Sequence, residues 1–293
     1  MNLYQQLIKN KDLTDTEQHV ASYLVQHADE IHLLSIQKVA RASNTSIATV
    51  SRLCQNLGFR GFKDFRVRFY QDYLINLCNE RQVNPNAPFN EGDSEFNVAT
   101  NLASLTKNSI TECQAFVDHH AIQEAHDLMK KSTRIIGIGV SDSFIRLIDF
   151  QNKMLKIGYV VSLSYFQTEQ VFLCTEATPK DCAIIASFSG ETAEVINEAK
   201  ILHERKVPTI SITAGKNSPL ALLTDIPLFL PNIEDSEHCT YTLASQVSLE
   251  YMLNVLFACM YANTYSKSRK RLEYSHKKYL NKKVIKRKNN KVE

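Results

Sequence analysis

Along the first eighty residues the apolar positions recur at helical spacing. Val20, Leu24 and Ala28 share one face behind Thr14 and Glu17, whose three-residue separation is a capping box, and together they predict a helix over 15–27. Ile36, Val39 and Ala40 then point inward from a short helix over 36–42 that Ser35 can cap, and Asn44, tolerant of positive φ, takes the turn. Ser46 caps a second short helix ending near Leu57, with Val50 and Leu53 inward and Gly58 as its stop. A further helix is expected over 62–78. Two short amphipathic helices across a tight polar turn are a helix-turn-helix signal.

The rhythm changes further on. The stretch RQVNPNAPFNEGD, 81–93, holds two prolines and a glycine with little apolar content and reads as a linker. Helices over 95–116 and 118–131 follow it. From position 134 short β-rich runs, at 134–140, 159–163, 182–187, 209–213 and 226–230, alternate with helical stretches such as 143–156 and 192–205. That alternation is the mark of a parallel sheet with crossover helices. A last apolar stretch, 243–261, is interrupted by Gln246, Glu250 and Asn254, and reads as a buried or interfacial helix over 240–261 rather than a membrane span.

Length supports the division, since 293 residues exceed the usual size of one domain. An apolar fraction of 44% with 22% charged residues is that of a globular chain with a full core. The polar start MNLYQQLIKNKDLTDTEQ carries no secretory pattern, and the seven cysteines are scattered without a CxxC pair. Both point to a reducing cytoplasm. The nine histidines show no metal-ligand spacing, so neither a metal nor a cofactor is called for. Net charge is +3, unevenly spread: 1–80 holds 9 Lys/Arg against 8 Asp/Glu, 81–265 holds 13 against 21, and 266–293 holds 12 against 2. The acidic middle would repel nucleic acid, so contact with DNA must come from the ends.

On the second helix of the helix-turn-helix the outward positions are Ser46, Ile47, Thr49, Ser51, Arg52 and Gln55, side chains of a size to reach base edges and phosphates in a major groove. Lys38, Arg41, Arg60, Lys63, Arg66 and Arg68 flank it, opposed by Asp64, and suit phosphate contact. A solvated basic face on a small helical bundle would read the same way. The run from Leu34 to Phe69, with TSIATVSRL and LGFRGFKDFR, resembles the N-terminal domain of the RpiR family of bacterial transcriptional regulators. That resemblance implies DNA binding.

In RIIGIGVSDS an apolar run enters Gly137, Gly139, Ser141 and Ser143. A dinucleotide-binding turn would want glycine at 142, where Asp142 stands, so NAD and FAD are set aside. Glycines ahead of serines instead permit close backbone approach and offer hydroxyls at a strand's C-terminal edge. IIASFSGETAEV repeats the pattern: Ser187, Ser189 and Thr192 supply hydroxyls, Gly190 keeps the backbone open, and the helix behind presents its N-terminus to an anion. Ordinary helix capping by Ser189, with Glu191 and Thr192 in the first turn, would also account for the second stretch, but two serine-rich strand ends in one sheet argue against capping alone.

GxGxS followed by SxSGxT is similar to the sugar isomerase (SIS) domain, a flavodoxin-like phosphosugar-binding fold, over roughly 121–261. By that resemblance Ser141, Ser143, Ser187, Ser189 and Thr192 are the effector-binding positions. LSYFQTEQ, at 163–170, stands where many relatives carry an acidic residue and a histidine, which leaves the sugar open.

The expected architecture is α + α/β. An all-helical helix-turn-helix domain occupies 1–80, a linker and connecting helix 81–120, a three-layer α/β/α SIS domain with a five-stranded parallel sheet 121–265, and a basic tail 266–293. The expected DNA contacts are Lys38, Ser46, Ile47, Thr49, Ser51, Arg52, Gln55, Arg60 and Lys63. The expected function is a cytoplasmic transcriptional regulator of sugar-metabolism genes, a homodimer or higher oligomer on a duplex operator, controlled by a sugar phosphate. The alternative is a sugar-phosphate isomerase using Glu191, Glu194, Glu237 or His238 as acid or base. The tail, with Tyr274 and Tyr279 among its cations, is either an auxiliary nucleic-acid tether or, by a small margin, a frayed solvated extension.

Overall fold

The computed structural model describes residues 2–9, 13–80, 82–234 and 242–283. It forms two compact units, Met1–Leu105 and Thr106–Glu293. The division falls within a single helix, α6 (Glu95–Ala115).

The first unit is helical: α1 (Leu3–Lys9), α2 (Asp15–Gln26), a 3-10 turn at Ile31–Leu33, α3 (Ile36–Ala42), α4 (Ile47–Asn56) and α5 (Phe62–Glu80). Glu17 accepts from the Thr14 amide at 3.0 Å and its hydroxyl at 2.7 Å, and these bonds hold its carboxyl below the usual range. Its other oxygen accepts from Asn56 Nδ2 at 2.8 Å, so the start of α2 is tied to the end of α4. Gly58, at φ +86, turns the chain out of α4 and delivers Phe59 against Phe65, rings 5.6 Å apart. Phe62, Phe65 and Phe69 follow at helical spacing, all buried. The aromatic half of the LGFRGFKDF signature is therefore core, and burying each ring contributes about 1.5–3 kcal/mol.

Helix α1 lies in a stretch whose sequence looks polar. Leu3 and Leu7 nevertheless share its buried face, and the Leu3 amide donates to Asp72 Oδ2 on α5 at 2.6 Å.

The second unit is a three-layer sandwich. Its elements are α7 (His119–Lys131), β1 (Ile135–Gly139), α8 (Ser141–Ile157), β2 (Val161–Ser162), α9 (Gln170–Thr175), β3 (Cys182–Ala186), α10 (Ala193–Glu204), β4 (Thr209–Thr213), α11 (Pro219–Leu223), β5 (Ile226–Phe229), α12 (Leu243–Asn263) and α13 (Tyr265–Lys283). All strands are parallel, in the order β2-β1-β3-β4-β5, with Ile135 beside Cys182 and Gly139 beside Ala186. Successive side chains alternate between two cores. Met129, Leu147, Phe150, Ile184, Ile212 and Leu253 fill one, while Ile136, Ile138, Ile185, Val195, Leu202 and Leu220 fill the other. Strands β1, β3 and β4 are buried throughout; β1 and β3 accordingly read as continuous apolar runs, while β4 buries Thr209, Ser211 and Thr213 between its isoleucines.

Helix α12 is long and apolar enough to cross a membrane by length and composition. Here Leu249, Met252, Leu253, Leu256 and Met260 are buried in the sheet's first core. The first part of the basic tail is a helix, not a frayed extension. Thr264 donates to the Met260 carbonyl at 3.0 Å and pairs with Ser268 Oγ at 2.9 Å, restarting the chain as α13, whose Ser268 is buried. Arg271 lies over Gly158 so closely that an added Cβ there would sit 1.3 Å from its guanidinium. The remainder of the tail, 284–293, lies outside the described residues, as do Cys239, Glu237, His238 and the side chains of Cys78 and Tyr279. Cys54, Cys113, Cys174 and Cys182 are buried free thiols, with burial raising each to about 11 or 12.

Candidate functional site

From β1 the chain turns to β2 on one side and later to β3 on the other, so the sheet's switch point lies between the C-terminal ends of β1 and β3. Open α/β sheets place ligands at that crevice. A cavity of about 250 Å³ lies there, and Ser141, Ser143, Ser187, Ser189 and Thr192 all line it. The two serine-rich stretches, fifty residues apart in sequence, thus meet in one site. Ser141 sits at φ +52 at the start of α8, and Ser143 and Ser187 are buried.

Ser187 Oγ lies 3.1 Å from Thr192 Oγ1 and accepts from the Gly190 amide at 3.2 Å, closing the loop on itself. Ser189 accepts from the Glu191 amide at 3.2 Å, a local turn contact. Thr192, the N-cap of α10, makes no capping bond to the helix with its side chain, since its hydroxyl is turned to Ser187. The first amides of α10 therefore lack that cap, and with the helix dipole they make an anion-favouring pole. Gly190, at φ +70, is forced twice over: a Cβ would also stand 2.2 Å from Ser218 Oγ.

The glycines of GIGVS serve the fold rather than a ligand's approach. A Cβ on Gly137 would lie 2.4 Å from Leu163, and one on Gly139 3.1 Å from Leu147 and 3.2 Å from the Ala186 carbonyl. Gln170, in the LSYFQTEQ stretch, clamps this strand end. Its Nε2 donates to the Gly139 carbonyl at 2.9 Å and its Oε1 accepts from the Gly139 amide at 3.2 Å, with the side chain buried.

Sequence reasoning did not find the opposite wall. Asp142, Glu234, Thr242, Ser245 and Gln246 complete the cavity. Thr242 donates to Asp142 Oδ2 at 2.7 Å, and the Ala244 amide donates to Glu234 Oε1 at 2.6 Å. Two carboxylates therefore hold the N-terminus of α12. Asp142 was visible in the motif, whereas nothing in the sequence near Glu234 marks it. Glu191 and Glu194 are exposed and line no part of the cavity.

In the first unit, Thr45 N donates to the Ala40 carbonyl at 2.9 Å and Asn44 takes φ +56, closing the turn between α3 and α4. Ser35 and Ser46 cap the two helices through the Lys38 and Thr49 amides at 3.2 and 3.1 Å. Ser46, Ile47, Arg52 and Gln55 are exposed on α4, with Thr49 and Ser51 half-buried, and Lys38, Arg60 and Lys63 are exposed beside them. Ile47 is 49% exposed. Two cations of the sequence-derived patch are otherwise engaged. Arg66 Nη1 donates to the Leu34 carbonyl at 2.8 Å, and Arg68 pairs at 3.1 Å with Asp72, whose side chain is 2% exposed.

A helix-turn-helix unit on one chain with an α/β unit that cups a hydroxyl-lined crevice defines a transcriptional regulator with a small-molecule domain. The comparisons make that specific: the chain carries the helix-turn-helix domain of the rpiR family over residues 1–74 and a SIS domain over residues 127–260. It is 26% identical over 262 residues to the HTH-type transcriptional regulator YbbH of Bacillus subtilis, covering 89% of this chain and 90% of that one. To HexR of Pseudomonas aeruginosa, also an HTH-type transcriptional regulator, it is 25% identical over 237 residues, 80% of this chain and 81% of that protein. Its fold matches the Vibrio vulnificus NanR protein complexed with ManNAc-6P at a TM-score of 0.59 and 22% identity, over 97% of this chain and all of the other.

Proposed function

We propose that this protein binds duplex DNA through the exposed face of α4 and that a sugar phosphate in the SIS cavity controls that binding. The observation that carries the reading is the convergence of five hydroxyl side chains and the α10 N-terminus in one crevice of a chain that also has a helix-turn-helix. Ser141, Ser143, Ser187, Ser189 and Thr192 hold the phosphate; Ser46, Ile47, Thr49, Ser51, Arg52 and Gln55 address the groove, while Lys38, Arg60 and Lys63 contact the backbone. The NanR structure, solved with ManNAc-6P, supports this class of effector.

The chain acts in the cytoplasm as a homodimer or higher oligomer, so that paired heads meet a roughly palindromic operator of sugar-metabolism genes. The effector shifts occupancy only as far as it distinguishes DNA-competent from incompetent arrangements. The 81–120 segment joins the two functions, and sensing rather than isomerisation is the cavity's use.

Fluorescence anisotropy with the chain's own upstream DNA tests this. Binding that rises or falls in the presence of one sugar phosphate supports the reading, and indifference to every member of a phosphosugar panel rejects it. Steady interconversion of aldose and ketose phosphates by the purified protein replaces it with the enzyme reading.

A further inference from the structure

The cavity has two chemically opposite poles. One is the hydroxyl cradle and uncapped start of α10, which favours an anion. The other is Asp142 and Glu234. Among the described residues lining the cavity there is no lysine or arginine, and the nearby Arg146 is engaged by Gln246 Oε1 at 3.2 Å and Glu250 Oε2 at 2.9 Å. An anion at the second pole meets two carboxylates and, among the described residues, no lining cation to offset them. A hydrogen-bond donor there meets acceptors, because each carboxylate offers about four acceptor positions and, among the described residues, the bonds from Thr242 and Ala244 use one apiece.

The geometry points to Glu234 and Asp142 as the specificity determinants of this site. They select a phosphosugar whose end remote from the phosphate donates hydrogen bonds through hydroxyl, amine or amide N–H groups. They reject one that carries a second anionic group at that end, such as a sugar acid or a bisphosphate. This rests on the sugar-phosphate reading of the cavity and fixes the orientation within it, phosphate toward α10 and polyol toward the start of α12. It also assigns the acidic wall a task beyond capping: the carboxylates that hold the N-terminus of α12 are the groups the ligand's far end would touch.

Binding by the full chain decides the matter, measured calorimetrically for the 6-phosphates of glucose, glucosamine, N-acetylglucosamine and N-acetylmannosamine, alongside gluconate 6-phosphate and fructose 1,6-bisphosphate. The expected result is that the best neutral- or amine-ended compound binds at least about tenfold tighter than either doubly anionic one, because like charges brought together are strongly unfavourable. Glu234→Gln and Asp142→Asn retain the oxygen that accepts from Ala244 or Thr242, and each should narrow that gap by about tenfold. A doubly anionic ligand that binds the wild type as tightly as the best of the others, or a gap that both substitutions leave intact, overturns the inference while the sugar-phosphate reading stands. If no phosphosugar binds the wild type, that reading falls and the inference with it. Should a substituted chain fail to fold, the wild-type ranking alone decides.

Discussion

Gln170 grips Gly139 by both of its backbone groups, donating to the carbonyl at 2.9 Å and accepting from the amide at 3.2 Å. The clamp fixes the end of β1 from which the first serine loop departs. Replacing Gln170 with Leu leaves a buried donor and a buried acceptor unpaired, at a cost of about 1–3 kcal/mol each. Urea unfolding should show that loss, and sugar-phosphate affinity should fall with it.

Ser189→Ala removes a hydroxyl that, among the described residues, accepts from the nearby Glu191 amide alone. Stability should change by less than about 1 kcal/mol, since the lost bond is local and exposed. The response of DNA binding to sugar phosphate should be blunted while affinity without effector is unchanged. An unaltered dose–response curve removes Ser189 from the site.

At Gly190 backbone and packing act together. Alanine there pays for φ +70 and also meets Ser218 Oγ at 2.2 Å. The variant should lose on the order of 2 kcal/mol or more, seen as a lowered melting temperature, together with effector binding.

Two arginines in the basic region should behave differently. Arg52 is exposed, with a long 3.4 Å contact to the Ala48 carbonyl, so Arg52→Ala should weaken operator binding by about 1–3 kcal/mol with little change in melting temperature. Arg66→Ala removes the donor to the Leu34 carbonyl and should lower stability first. Equal effects of both on folding and DNA binding would contradict this division.

Glu198, on α10, is buried, and desolvation followed by the neighbouring charge of Glu194 raises its carboxyl from 4.5 to about 7. The folded state therefore binds this proton more tightly than the unfolded chain does. The contribution is fully present below about 4.5, is lost as pH rises through about 7, and is constant above. Glu198→Gln should thus match the wild type near the acid end of that window and exceed it above pH 7, by an amount on the order of a few kcal/mol at most. Urea titrations across the window check the sign.

The elements and their order were legible in the chain because they depend on local chemistry. Thr14 with Glu17, Ser35, Ser46 and Gly58 mark helix ends through bonds made within a few residues. The β-rich runs, alternating with helical stretches, announced a parallel sheet with crossover helices. Helix α1 was hidden, because its stability depends on burying Leu3 and Leu7 and on a carboxylate from α5, not on its own composition.

The same division runs through the site. Hydroxyls at two strand ends were readable as motifs, since close spacing along the chain keeps a loop's donors together. Tertiary structure alone decided that the two loops share one crevice, that Gly137 and Gly139 make room for Leu163 and Leu147, and that Arg66 and Arg68 serve the fold. It also brought Glu234 and Asp142 together across the start of α12. The longest of those relations, Arg66 with Leu34 and Asp142 with Thr242, join residues roughly thirty and a hundred positions apart, and only the packing of sheet and helices sets such distances.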